Sequence, residues 1–295
     1  MGVKGAFKLL AKVTEISKNG PQKQVVVIDG SYLVYNTFLA TKAIRTMTAP
    51  DGKTPTGHIR IIYNKIKRFH KDGCRLVVVW DAGTTSLKEE LKKDREEQKD
   101  KAKEKFEKAK ADGMTGDGLA RLEKLGVSPG RAFESAKKLF ALLGVPQLTV
   151  PEKYEAEHLC AQICSAGIGD VVYTKDSDAL FFGGTAMGWH HRGKYNSIKL
   201  ADALKHLEVN LLEFQRMGVM LGTDFAPKSA GIGPATVLKP EAREKVKFTE
   251  RQEKALKMFQ EKIDIEIPFT RESLTNTGDE AEIKKYLTTL GFRKI

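Results

Sequence analysis

The chain has 295 residues, 50 Lys+Arg against 38 Asp+Glu, and a formal net charge of +12. At 41% hydrophobic and 30% charged residues it can bury a sizeable core, which excludes a disordered tail. No apolar stretch approaches the ~18 residues that span a bilayer. The opening MGVKGAFKLLAK lacks the long apolar run of a signal peptide, so an intracellular protein with no membrane partner is expected. Cys74, Cys160 and Cys164 are too few and too unevenly spaced for a disulfide framework. The positive balance points to a polyanionic partner, because clustered Lys and Arg bind phosphates by releasing condensed counterions.

In chain order, residues 24–29 (QVVVID) form the first short β-branched run closed by a turn residue, and Gly30 follows it. The amphipathic stretch 58–70 comes next, then a second buried run at 75–83 (RLVVVWDAG). Residues 88–110 hold ten basic and eight acidic residues with only Leu91 and Phe106 as large apolars. A segment without a core-facing stripe is a solvent-exposed or flexible helix. Another amphipathic stretch, 132–143, closes at Gly144; strands follow at 146–151 (PQLTVP) and 169–178 (GDVVYTKDSD). An apolar helix at 214–221 precedes a charged region from 240 to 295 that carries no assignable chemistry. Strands alternating with helices predict an α/β fold with a mainly parallel sheet.

Three of the four predicted strands deliver an aspartate at or just past their C-terminal end: Asp29, Asp81 and the pair Asp176 and Asp178. In an open parallel sheet, ligands bind in the crevice outside those ends. One such aspartate usually caps the next helix. Three strands doing so bring carboxylates to one edge, which capping does not require. Glu155 and Glu157 open the helix after the strand near Val150, and Asp224 follows the 214–221 helix. Seven anions sharing a crevice require cations, since each neighbour raises the cost of ionising the next. Hard oxygen ligands without His or Cys thiolate select Mg²⁺ or Mn²⁺ over zinc. Two such ions ~4 Å apart are the device for phosphodiester hydrolysis. A basic chain with such a pocket is expected to be a nuclease.

With those residues placed, the chain resembles the structure-specific 5′ nucleases, and among them the eukaryotic and archaeal flap endonucleases, from Gly2 to about Lys239. MGVKG resembles that family's start, in which Gly2 lies near the active site. VVVIDGSYLVY is similar to its first metal-ligand strand, with Asp29 as ligand and Tyr35 as the aromatic that stacks on a base. VVVWDAG resembles the second, with Asp81; YEAEH resembles the paired glutamates, and TKDSDALFFG the paired aspartates. LGTDF followed by GIGP (Gly231 and Gly233) resembles the last ligand and a helix–two-turn–helix DNA clamp. The glycines there let backbone N–H groups approach a phosphate.

The resemblance implies a Rossmann-like, PIN-like α/β nuclease core at 1–240. It comprises an N-terminal segment (residues 1–83), a helical arch (84–130) and an internal segment (131–240) with the DNA clamp from about residue 214. A C-terminal extension runs from 241 to 295. Lys88 and Arg95, seven and fourteen residues beyond Asp81, match the two basic residues that contact the scissile phosphate. The implied activity is 5′ flap endonuclease and 5′→3′ exonuclease action, in DNA replication and repair, by a monomer using two Mg²⁺ ions that Mn²⁺ replaces. The implied partner is branched DNA with a 5′ flap, in the nucleus of a eukaryote or the cytoplasm of a prokaryotic or virus-infected cell.

Two departures stand out. Ala235 and Thr236 replace basic residues after Pro234, which implies weaker duplex anchoring, and Lys228 stands where a cation-binding hydroxyl is usual, with Ser229 adjacent. No sliding-clamp peptide (Gln, an aliphatic, two aromatics) is visible at the C-terminus, so clamp recruitment is not expected. Other readings are an exonuclease or junction resolvase of the same superfamily, or a non-catalytic junction-binding module. The complete carboxylate set argues against the module, which gains nothing from anions near phosphate.

Overall fold

The computed structural model describes residues 2–40, 44, 46–82, 104, 105, 107, 108, 111 and 130–292. The arch expected at 84–130 therefore lies outside the described residues, apart from 104, 105, 107, 108, 111 and 130. No described helix is long and apolar enough to cross a membrane. The chain divides into two compact units, Met1–Tyr32 with Lys67–Gly83 and Val145–Asn276, and Leu33–Ile66 with Thr84–Gly144 and Thr277–Ile295.

The first unit is built on a seven-stranded sheet. Its strands are β1 (Glu15–Ser17), β2 (Val25–Asp29), β3 (Arg75–Trp80), β4 (Gln147–Thr149), β5 (Val171–Tyr173), β6 (Ala186–His191) and β7 (Lys194–Lys199), in the spatial order β1-β7-β6-β5-β2-β3-β4. Pairing is parallel from β6 through β5, β2 and β3 to β4; β7 runs antiparallel to both β6 and β1. This is an α/β fold with a mixed, mostly parallel sheet. Every residue of β2 is buried and β3 is buried from Leu76 to Trp80, so these strands read as unbroken apolar runs rather than alternating ones.

β1, β6 and β7 are not among the four strands read from the sequence, although GWHHRGK, which reads as a turn or strand near the sheet edge, falls on the β6–β7 hairpin. The β6–β7 hairpin turns on Arg192 and Gly193, both at positive φ (48° and 76°), as a two-residue hairpin turn requires. β5 is shorter than the 169–178 run: it ends at Tyr173, and the chain then turns, with Asp176 N donating to Thr174 Oγ1.

The described helices are α1 (Ala6–Leu9), α2 (Gly30–Phe38), α3 (Gly57–Lys71), α4 (Gly130–Leu142), α5 (Ala156–Ser165), α6 (Asp178–Phe181), α7 (Leu200–Leu207), α8 (Leu211–Leu221), α9 (Pro240–Glu244), α10 (Glu250–Gln260) and α11 (Glu280–Thr289). In the first unit α5 lies on β2, β3 and β5, and α8 packs against α10. Stacked Phe181 and Phe214, 4.1 Å between centroids, fill the space beside them. The Gln215 amide donates to the carbonyls of Phe181 (2.9 Å) and Phe259 (3.1 Å), so a polar side chain inside this core has its donors satisfied. α10 starts at a capping box, Thr249 with Gln252, and the Gln252 amide also donates to Pro227 O (3.1 Å) and Ser229 Oγ (2.9 Å).

In the second unit, α11 packs on α4, where Tyr286 Oη donates to Ser135 O at 2.9 Å. Buried His58 places Nε2 3.0 Å from Ala132 O and 3.1 Å from Ser135 Oγ, and burial lowers its pKa to about 4.

Candidate metal centre

Asp29 ends β2, and its two carboxylate oxygens are each held. Oδ1 accepts from Tyr32 N at 2.8 Å and Oδ2 from Thr174 Oγ1 at 2.9 Å. Chain reversal straight into α2 is possible because residue 30 is glycine: an added Cβ would lie 2.5 Å from the Trp80 ring. Asp29 is buried, and burial followed by the charges of Asp81 and Asp176 holds its carboxyl well above the usual carboxylate range.

Asp81 follows β3, and its Oδ1 accepts from Ala156 N, the first amide of α5, at 2.8 Å. That bond brings the helix start to the sheet edge. Glu155 occupies the N-cap position of α5 without capping it through its side chain, and Glu157 lies in the first turn. The ligand atoms of Asp81, Glu155 and Glu157 all lie within 4.8 Å of one another, the one such acidic group among the described residues.

Past β5 the chain turns through Thr174, whose hydroxyl accepts from Asp176 N (3.0 Å) while donating to Asp29. Asp176 Oδ1 in turn accepts from Asp178 N at 3.1 Å, and Asp178 begins α6, buried. The N-terminal segment closes on this turn: Val3 N donates to Ser177 Oγ at 3.0 Å and Lys4 N to Gly222 O at 2.8 Å. Gly2 sits at φ +84°, where an added Cβ would lie 2.1 Å from Asp176 Oδ1. Asp224 stands two residues past Gly222 in a loop held by the Thr223 hydroxyl, which accepts from Phe225 N and Ala226 N.

The structure thus joins Asp81, Glu155 and Glu157 in one tight group and puts Asp29 within electrostatic reach of Asp81 and of Asp176. Asp29, Asp176, Asp178 and Asp224 all fall outside the 4.8 Å group. Thr174 and Ser177 were missed by sequence reasoning; a hydroxyl residue ahead of each aspartate in TKDSD is the local signal. Gly231 has φ +72°, and neither it nor Gly233 would bring a Cβ within 4 Å of anything, so this backbone is open. After Pro234 a single α-type turn forms (Val237 N to Gly233 O, 2.9 Å) before α9. Tyr35, in the second unit, is 37% exposed with its ring edge-on to Phe133 at 5.6 Å. Lys88 and Arg95 lie outside the described residues. Cys160 and Cys164 are free and buried on α5, and they join no metal group among the described residues.

The donor set fits a hard divalent cation. All donors are carboxylate oxygens, and Asp29, raised first by burial and then by the charges of Asp81 and Asp176, is the kind of carboxyl that a bound cation would stabilise in its ionised form.

Comparison with known proteins agrees with this chemistry. The XPG N-terminal domain matches residues 1–102 and the XPG I-region residues 144–224, together more than half of the chain. Flap endonuclease 1 of Phaeodactylum tricornutum is 27% identical over 256 residues, 81% of this chain and 60% of that protein. Flap endonuclease 1 of Leishmania braziliensis is 29% identical over 221 residues, 71% of this chain and 55% of that protein, so the chain spans a little over half the length of such relatives. Among solved structures, the catalytic core of Rad2 in complex with DNA substrate superposes with a TM-score of 0.68 at 17% identity, over 99% of this chain and 96% of that one. This last likeness is one of fold.

Proposed function

This chain belongs to the XPG family of structure-specific, metal-dependent nucleases, and from that premise we propose that it is a 5′ flap endonuclease with 5′→3′ exonuclease activity on branched DNA. The observation that carries the reading is the grouping of Asp81, Glu155 and Glu157 beside buried Asp29 and Asp176 at the C-terminal ends of parallel strands. Asp29, Asp81, Glu155, Glu157, Asp176, Asp178 and Asp224 would hold two Mg²⁺ ions. Such ions supply an ionised water at neutral pH and positive charge to balance the phosphodiester as it is attacked.

The chain's own residues do the rest. Asp81 seats the start of α5 through Ala156 N, and Thr174 orients the Asp29 carboxylate while holding the backbone of Asp176, so the site is set before substrate arrives. Lys88 and Arg95 contact the scissile phosphate, and residues 84–130 guide the single-stranded 5′ end. Tyr35 stacks on a base, the backbone at Gly231 and Gly233 cradles a duplex phosphate, and Gly2 lets the N-terminal segment approach the Asp176 turn.

Cleavage of end-labelled 5′-flap, gapped, nicked, four-way-junction and RNA substrates in Mg²⁺, with product ends mapped, tests this. The expected result is cutting of the 5′ flap near its junction with the duplex. Symmetric cutting of the four-way junction in preference to the flap would make the chain a resolvase. No cutting of any substrate in Mg²⁺ or Mn²⁺ would make it a binding module.

A further inference from the structure

We propose that Glu261, just past α10, is a positioning residue for the metal-binding glutamates of α5. The inference rests on reading Asp81, Glu155 and Glu157 as metal ligands. Glu261 grips the chain on both sides of that pair. Tyr154 Oη donates to Glu261 Oε1 at 2.6 Å, and His158 Nε2 lies 2.7 Å from the Glu261 carbonyl oxygen. Tyr154 immediately precedes Glu155 and His158 immediately follows Glu157. Lys153 Nζ meets the same carboxylate oxygen at 3.0 Å.

The grip extends one turn further along the helix. Gln162 pairs in both directions with the Ile263 backbone, accepting from its N–H at 2.8 Å and donating to its carbonyl at 2.9 Å. Residues 154, 158 and 162 are four apart, so they share one face of α5 and its approach. That face is held by residues 261–263. Glu155 and Glu157 fall off that register, and Asp81 holds the helix start through Ala156 N.

His158 suits a fixed role. Its ring stacks on Phe182 at 4.2 Å with a 13° interplanar angle, and Tyr154 meets it edge-on at 5.3 Å. Because a carbonyl oxygen only accepts, the 2.7 Å contact puts a proton on Nε2, which donates to Glu261 O. Metal ligation tolerates about 0.5 Å of misplacement, and groups that orient ligands from outside typically contribute 10–100-fold in metal affinity. Glu261 lies beyond both matched XPG segments, so the family pattern does not assign it.

The test is direct Mn²⁺ titration of the full chain, with free Mn²⁺ read by electron paramagnetic resonance, beside melting temperatures in excess chelator. Wild type is expected to bind Mn²⁺. Glu261→Ala and Tyr154→Phe should each weaken Mn²⁺ affinity by about tenfold. Glu261→Gln, whose amide oxygen still accepts from Tyr154, should stay within about threefold of wild type. The double variant Glu261→Ala/Tyr154→Phe should be no weaker than Glu261→Ala alone, because both changes break one bond. Glu250→Ala, on an exposed pair with Lys254, is the control and should change nothing. Tyr154→Phe keeps the ring and decides the matter if Glu261→Ala fails to fold. Undiminished Mn²⁺ affinity in Tyr154→Phe and Glu261→Ala, with wild type binding, overturns the proposal. Absence of Mn²⁺ binding by folded wild type overturns the metal-centre reading beneath it.

Discussion

Replacing Gly2 with alanine tests how tightly the N-terminal segment is fitted to the metal centre. The new Cβ would stand 2.1 Å from Asp176 Oδ1 and 2.7 Å from Ser177 Oγ, where ordinary contact begins at 3.4 Å. Either the Asp176 carboxylate or the N-terminal segment must therefore move by about 1 Å. A displacement of ~1 Å at a reacting centre costs on the order of 100-fold in rate. The left-handed φ of +84° adds strain of ~1–2 kcal/mol for any non-glycine residue. Gly167 separates the two effects, since it has φ +77° in the same unit with nothing within 4 Å of an added Cβ. Single-turnover cleavage of a 5′-flap substrate at saturating Mg²⁺ is the assay, with melting temperature alongside. Gly2→Ala should lose about 100-fold in rate, whereas Gly167→Ala should lose stability alone. Gly2→Ala cutting within threefold of wild type, or equal rate losses in both variants, would refute the reasoning.

Asp81→Ala should cut turnover by orders of magnitude while flap binding in Ca²⁺ persists, and wild type should melt higher in Mg²⁺ than in chelator; a melting curve indifferent to Mg²⁺ would mean the carboxylates do not share a cation. Lys88→Ala and Arg95→Ala should lower turnover more than affinity, while Lys92→Ala and Lys99→Ala act as controls; equal effects in all four would indicate a nonspecific basic face. His58 is neutral when folded, with its pKa lowered to about 4 by burial. The stability it contributes is complete above its unfolded value of ~6.5 and is lost as pH falls through about 4, up to about 3 kcal/mol. Urea denaturation at pH 7 and pH 4.5 should show that loss, and His58→Gln should reduce the pH slope; an unchanged slope would place the titration elsewhere.

The alternation of strand and helix, and six of the seven carboxylates on strand ends or helix starts, were legible along the chain because each depends on a few adjacent residues. VVVID and LVVVW are apolar throughout, so burial on both faces was written into composition. The pairing of β1, β6 and β7 was not legible: β1 is three exposed residues, and β6–β7, legible only as a turn or strand near the sheet edge, mixes Gly, His, Asn and Lys around an RG turn, so their pairing is decided by the sheet they join. The acidic residue types announced a divalent cation, but which of them share a centre depended on contacts between distant segments. Asp81 meets Ala156 across 75 positions, Thr174 meets Asp29 across 145, and Val3 meets Ser177 across 174. Glu261 illustrates the limit most clearly. In sequence it is one acid among many in a charged region, and only the packing of residues 261–263 along α5 brings it to Tyr154 and His158, because hydrogen bonds over such separations are set by tertiary geometry and leave no local pattern.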